Sequence, residues 1–210
     1  MRERHWKKLM RICGKSFVMD DKFSLSMLLA LELEKQVDGV GETVEQARME
    51  LKIDKQLAKI DATWMGLVLE YEPFKATGVQ ILVQPAEVYE ALDDNEVALQ
   101  NMMGNRFMGF FEAIITEWKG KLGTVRSVLE VWLEVQRSWT QLESIFLASA
   151  DIRAQLPDDT KRFEGIDSEF KELMKEAVNE PNVVAACCVD GREDAMRRAT
   201  PRNVETARTA

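Results

Sequence analysis

Val131-Trp132-Leu133-Glu134-Val135-Gln136-Arg137-Ser138-Trp139 sets two tryptophans seven residues apart, two helical turns, with Gln136 between them on the same side. Upstream, Phe107, Phe111, Ile114, Trp118, Leu122, Val125 and Leu129 continue the same rhythm, and Phe146 carries it downstream. Steps of three and four keep these side chains on one stripe of an α-helix, whereas a strand would repeat every second residue. If continuous, a helix over residues 105–147 would extend about 60 Å at about 1.5 Å per residue. Gly120 and Gly123 make a kink or a break there as expected as a straight rod. Aromatic side chains at this spacing predict a buried packing seam rather than a binding face.

Working towards the N-terminus, Pro85 suits the first position of a helix whose face carries Val88, Leu92, Leu99 and Met102. Before it, residues 67–84 change period. Leu67–Glu72 and Val79–Gln84 partly alternate around the turn chemistry of Pro73-Phe74-Lys75-Ala76-Thr77-Gly78, which predicts a β-hairpin resting on a helical body. From Ser24, a candidate N-cap, Leu33, Val37, Val40, Val44, Ala47 and Leu51 step by three and four. Ile53, Leu57, Ile60, Trp64 and Leu67 then restart the rhythm. The two-residue jump at Leu51–Ile53, together with Gly39 and Gly41, predicts a bend or break there. Residues 2–13 read as a helix with Trp6, Leu9, Met10 and Cys13 on one side, ended by Gly14. Beyond the central stretch, Pro157 opens a last helix over about 158–179 with Phe163, Ile166, Phe170, Leu173 and Met174. Past Pro181 the pattern fades, and residues 185–210 read as a weakly ordered tail. The expected fold is mainly α: an elongated helical bundle with one small β-hairpin.

Charge excludes several classes. The net charge of −8 is uneven: residues 1–22 carry +4, residues 187–210 carry +1, and the body between them carries −13. Such a body repels nucleic-acid phosphate and anionic lipid, so neither nucleic acid nor membrane is an expected partner. The basic residues near the N-terminus interleave with Trp6, Leu9, Met10 and Ile12, as on a solvated helix face. The longest apolar run, residues 27–31, is far too short to span a bilayer, and nothing after Met1 resembles a secretory leader. Three cysteines make no disulfide framework, and an intracellular setting follows as the expectation.

Motifs that carry chemistry fail on spacing. Gly14-Lys15-Ser16 resembles the end of a phosphate loop, but the first glycine of that loop would fall on Leu9, inside an amphipathic helix. His5 is the only histidine, and Cys187 and Cys188 are adjacent, so no zinc spacing exists and a Cys–His dyad would need opposite ends of the chain. Asp93-Asp94 and Asp158-Asp159 sit where acids cap or favour helix starts. No catalytic residue, metal ligand or cofactor is expected.

One pattern goes further. Trp132, Val135, Gln136, Trp139, Leu142, Glu143, Ile145 and Phe146 match the W-x-x-V-Q-x-x-W-x-x-L-E-x-I-F signature, and the chain resembles the N-terminal region of dynein heavy chains. Four companion blocks stand in the same order: Arg4-His5-Trp6 with Leu9-Met10; Leu92-Asp93-Asp94-Asn95 with Leu99-Gln100 and Met102; Asp151-Ile152-Arg153 with Gln155-Leu156-Pro157 and Arg162-Phe163; and Ile166-Asp167 with Phe170-Lys171 and Leu173-Met174. The Asp94-Asn95 and Gln155-Leu156-Pro157 details look closest to axonemal, outer-arm-type chains. The resemblance covers about residues 4–184 and implies a linker segment, a helical lever lying across a ring of AAA+ ATPase modules. Its implied partners are that ring, the intermediate and light chains of the complex and, through a stalk elsewhere in the heavy chain, the microtubule. Its implied place is the cytoskeleton, in the axoneme of a cilium or flagellum. On this reading Trp6, Trp118, Trp132, Gln136, Trp139, Leu142, Phe146, Pro157, Phe163 and Phe170 are structural signature residues. The family's long helix and aromatic strand after about Asn182 have no counterpart, which predicts a truncated segment or an early chain end. A static, spectrin-like helical tether is the alternative.

Overall fold

The computed structural model describes residues 1–75, 77–146 and 149–200. The chain is mainly helical, with a single antiparallel hairpin among the described residues, as its periodicity predicts. It divides into two compact units, residues 1–59 with 100–115 and residues 60–99 with 116 onward.

In the first unit, helix α1 (Glu3–Cys13) meets helix α3 (Val37–Gly66) through charge. Arg2 reaches Asp54 at 2.7 Å, Lys8 reaches Gln46 at 3.0 Å and Glu42 at 3.7 Å, and Arg4 pairs with Glu50. The positive N-terminal segment thus spends its charge on acids of its own fold. Gly14 ends α1 at φ 64°, a conformation glycine adopts without a Cβ penalty, and its N–H returns to the Met10 carbonyl. Helix α2 (Leu25–Leu29) follows, with the Ser24 hydroxyl accepting from the Met27 N–H.

The break expected from Leu51–Ile53, Gly39 and Gly41 is absent. The chain turns at Glu32, a non-glycine residue at φ 54°, where the carboxylate meets the Lys15 and Lys35 ammoniums at 3.2 and 2.8 Å. A short 3-10 turn (Leu33–Gln36) then leads into α3, which runs on through both glycines and through Leu51–Ile53. Gly39 is a packing residue: a Cβ there would stand 3.2 Å from the Ile12 side chain. The buried seam of α3 in this unit is Thr43, Ala47, Glu50, Ile53 and Leu57, whereas Val37, Val44 and Leu51 face outward. The apparent jump at Leu51–Ile53 disappears once the seam passes through a carboxylate.

In the second unit, β1 (Tyr71–Phe74) pairs with β2 (Val79–Leu82), Tyr71 opposite Leu82 and Phe74 opposite Val79. The hairpin is shorter than residues 67–84, and Pro73-Phe74 belongs to β1 instead of the turn. Residues 67–69 have another partner: the Leu69 N–H donates to the Pro181 carbonyl at 2.7 Å and the Val183 N–H to the Leu67 carbonyl at 3.1 Å. Asn182 secures this junction. Its side-chain amide donates to the Trp64 and Leu67 carbonyls at 3.0 and 3.2 Å, and its oxygen caps α8 (Val183–Cys187).

Helix α4 (Ala86–Met103) buries Val88, Leu92 and Leu99 as the spacing predicts. Helix α5 (Glu112–Phe146) follows a 3-10 turn at Met108–Phe111 and is uninterrupted for 35 residues, Gly120 and Gly123 included. Arg126 ties it to α4 through Asp93 at 2.7 Å and Glu96 at 3.0 Å. Helix α6 (Ala150–Gln155) is capped by Ser149, and α7 (Pro157–Asn179) opens on Pro157, whose missing N–H costs nothing at that position. The residues read as a weakly ordered tail include the end of α8, a turn at residues 188–191 and a further helix, α9 (Arg192–Arg198), with Ala186, Cys187, Met196 and Ala199 buried. Arg192 anchors α9 to Glu176 of α7 at 3.1 Å. Two helices this short present too few turns for an apolar period to register in the sequence. Residues 201–210, the remainder of that expected tail, and Ala76 and Leu147 lie outside the described residues.

Candidate functional site

Most signature residues of the second unit converge where α5, α7 and the hairpin meet. Trp132, Trp139, Phe163 and Phe170 are fully buried, and Leu142 and Phe146 nearly so. Trp139 stacks on Phe170 at 4.6 Å between ring centres, meets Phe74 of β1 edge-on at 5.2 Å, and donates its Nε1–H to Asp167 at 3.0 Å. Lys171, one helical turn on, holds the other oxygen of Asp167 at 2.6 Å. Trp132 directs its Nε1–H at the Met174 sulfur at 3.2 Å, and Phe146 stacks on Phe163 at 5.5 Å. Each indole thus buries a large apolar area and satisfies its one donor within the fold.

Gln136 does what no aliphatic side chain of its size could. Its carbonyl oxygen accepts the Leu82 N–H at 2.8 Å and its amide donates to the Leu82 carbonyl at 2.9 Å. A side-chain amide therefore replaces the neighbouring strand that β2 lacks on that edge. Replacing Gln136 by leucine should lower the unfolding free energy by about 1–3 kcal/mol, since it leaves both Leu82 main-chain groups without their partners. Urea denaturation followed by tryptophan fluorescence measures it.

Two signature tryptophans stand elsewhere. Trp118 is half-buried, with the Lys121 ammonium 5.1 Å from its ring, so it is no core anchor; the buried neighbour on that turn is Ile115, and Ile114 faces outward. Trp6 is likewise half-buried, packed in the first unit on Phe17 and Phe23 at 5.8 and 6.1 Å.

A second cluster, with no apolar signal to reveal it, occupies the first unit. Glu50 is 2% exposed and His5 1%. The His5 Nδ1 accepts the Arg2 N–H at 2.9 Å, so the ring proton sits on Nε2, which donates to Glu50 at 3.0 Å. The Arg4 guanidinium grips the same Glu50 oxygen, and Gln46 donates to the other at 2.7 Å. Burial opposes the charge on Glu50, yet hydrogen bonds from Arg4, Gln46 and His5, with the Arg4 charge, hold its carboxyl below the ordinary glutamate range. Arg4 also lies over the Phe110 ring at 3.7 Å. The only clue in the sequence is the pairing of α1 bases with α3 acids.

Lys15, the candidate phosphate lysine, donates to the Ala30 carbonyl at 2.7 Å and pairs with Glu32, and Gly14 closes a helix. Burial pushes the Cys187 thiol up to about 12, so it is protonated and a poor nucleophile near neutrality. Among the described residues no group of three or more His, Cys, Asp or Glu is placed to hold a metal ion. No described helix is long and apolar enough to cross a membrane.

Comparison with known proteins agrees with the signature. The family model described as dynein heavy chain, N-terminal region 2, matches residues 1–203. The chain is 47% identical over 199 residues to the dynein beta chain of the flagellar outer arm of Chlamydomonas reinhardtii, covering 93% of this chain and 4% of that protein. It is 47% identical over 184 residues to human dynein axonemal heavy chain 9, covering 88% of this chain and 4% of that one. To the Chlamydomonas reinhardtii dynein alpha chain of the flagellar outer arm it is 38% identical over 192 residues, again 4% of the relative. It therefore spans only a small part of the curated relatives it matches. The chain belongs to the dynein heavy chain family, within its N-terminal region 2.

Proposed function

We propose that this chain is a segment of the mechanical linker of an axonemal, outer-arm-like dynein heavy chain, a non-catalytic lever that couples ATP-driven changes of the AAA+ ring to movement along microtubules. The observation that carries this reading is α5, an uninterrupted 35-residue helix braced by α7 through Trp132, Trp139 and Phe146 and by the hairpin through Gln136. A helix packed along its length resists bending better than a solvated one, because bending it must open buried contacts. The ring, the intermediate and light chains and the microtubule are the partners on this reading, and the axoneme is its place.

The test uses the full-length heavy chain. Glu130 is an exposed residue within α5, and Glu130→Pro interrupts the helix there, at a cost of about 3 kcal/mol. On the lever reading microtubule gliding slows several-fold while ATP turnover persists. Unchanged gliding with loss of attachment to other chains would favour the tether reading instead. In a separate assay the isolated chain should show no ATP binding. Tight binding abolished by Lys15→Ala would overturn the non-catalytic assignment.

A further inference from the structure

The hairpin rests on α7 through the Tyr71 hydroxyl, which donates to the Ala177 carbonyl at 3.2 Å, and on α5 through the tilted Tyr71–Trp132 ring pair at 6.4 Å and three further contacts that fall on the same stripe of that helix. Leu82 is held by Gln136, Phe74 packs on Trp139, and Lys75 reaches Glu143 at 2.6 Å and the Ser144 hydroxyl at 2.7 Å. The third differs in kind. Glu143 lies in the packing seam of α5, its side chain 9% exposed, and among the described residues its cation is Lys75, which stands half in solvent. Removing that cation would leave a buried carboxylate unanswered, which a folded chain resists by opening locally to water. The backbone adds a second observation. Lys75 sits at φ 50°, a conformation that favours glycine or asparagine, so local preference does not select lysine there. Its side chain does, by meeting Glu143 and lying 4.6 Å from the Phe74 ring.

We propose that the Lys75–Glu143 pair is a charge latch, which closes the β1–β2 hairpin over α5 and lets it lift without unfolding the helices beneath. The helices α5 and α7 hold each other through Trp139, Phe170, Trp132 and Met174, contacts that do not involve Lys75. The hairpin, a two-stranded sheet too small to be stable alone, depends on its seat. Any group that neutralises Lys75 or competes for it opens the strap, and screening by salt weakens it. The latch is a property of this chain whether or not the chain acts as a lever.

Residue-resolved hydrogen exchange on the 210-residue chain tests it, with the Leu82 amide, donated to Gln136, as the reporter. Lys75→Gln should speed exchange at Leu82 at least tenfold and leave buried α5 and α7 amides, such as those of Trp132 and Phe170, unchanged. Lys75→Gly relaxes the backbone but loses the cation, and should open the strap as far as Lys75→Gln does. Lys75→Arg should keep it closed. Lys75→Gln combined with Glu143→Gln removes the buried charge and should restore most of the protection. The proposal is overturned if Lys75→Gln leaves Leu82 protected, if the double substitution exchanges as fast as the single one, or if α5 and α7 amides accelerate together with Leu82.

Discussion

Trp139→Ala should cost about 3–5 kcal/mol of stability, the range for deleting a large buried aromatic side chain. The residue is completely buried, and its removal acts on three elements at once. The stacked ring of Phe170 on α7 and the edge of Phe74 on β1 lose the surface they share, and Asp167 loses the Nε1–H it accepts. Trp139→Phe separates these effects. It keeps most of the ring contact but takes the donor from the Asp167 Oδ1, Lys171 holding only the Oδ2, so a loss of about 1–3 kcal/mol is expected from the unmet acceptor. Trp118→Ala is the internal control. That side chain is half-buried beside Lys121, and its loss should cost less than about 1 kcal/mol. Urea denaturation of the three variants checks the order. If Trp139→Ala and Trp118→Ala fell equally, the α5 stripe would be a surface for partners and not a core.

That control also shows where periodicity reads correctly and where it stops. From Leu122 to Trp139 the apolar spacing picks the buried side of α5 closely, because the fully buried residues of that stretch are all apolar and the polar Gln136 stands only half-buried at their edge. It fails wherever the seam carries a charge. Glu50 on α3, Asp167 on α7 and Glu143 on α5 are all buried or nearly so, and each is answered from a distant part of the chain: by Arg4 and His5, by Trp139, and by Lys75. A count of hydrophobic residues steps over such positions, and so assigned Val44 and Leu51 to a seam that Thr43 and Glu50 occupy. Glycines mislead in a similar way. Gly39, Gly120 and Gly123 read as weak points, yet each lies inside a continuous helix, and Gly39 is where Ile12 approaches α3 closely. The chain does turn at Glu32, a residue type with no preference for a left-handed backbone. The signature around Trp132, Gln136 and Trp139 was legible as a family pattern, but Gln136's role as a substitute strand edge follows only from where the hairpin lands.

The buried carboxylate of the first unit yields the second large effect, because it links stability to pH with a defined sign. Glu50→Ala should cost about 3 kcal/mol at neutral pH, since it strands His5 in the interior and frees Arg4 from its partner. Arg4 is part-exposed and can turn to water, which places the figure at the low end of the range for broken buried pairs. Glu50 is held below its ordinary value of 4.5 in the folded chain. The unfolded chain therefore takes up a proton on Glu50 at a higher pH than the folded one. The stabilisation from its charge is complete above 4.5 and is lost as pH falls through the lower folded value. Glu50→Gln removes this titration and keeps the shape. The stability gap between the wild-type chain and Glu50→Gln should be constant from pH 7 down to about 5 and close progressively below 4.5. Urea midpoints across that range decide it. Parallel curves to pH 3 would mean that Arg4, His5 and Gln46 hold Glu50 by geometry alone and that its charge contributes nothing to the folded state.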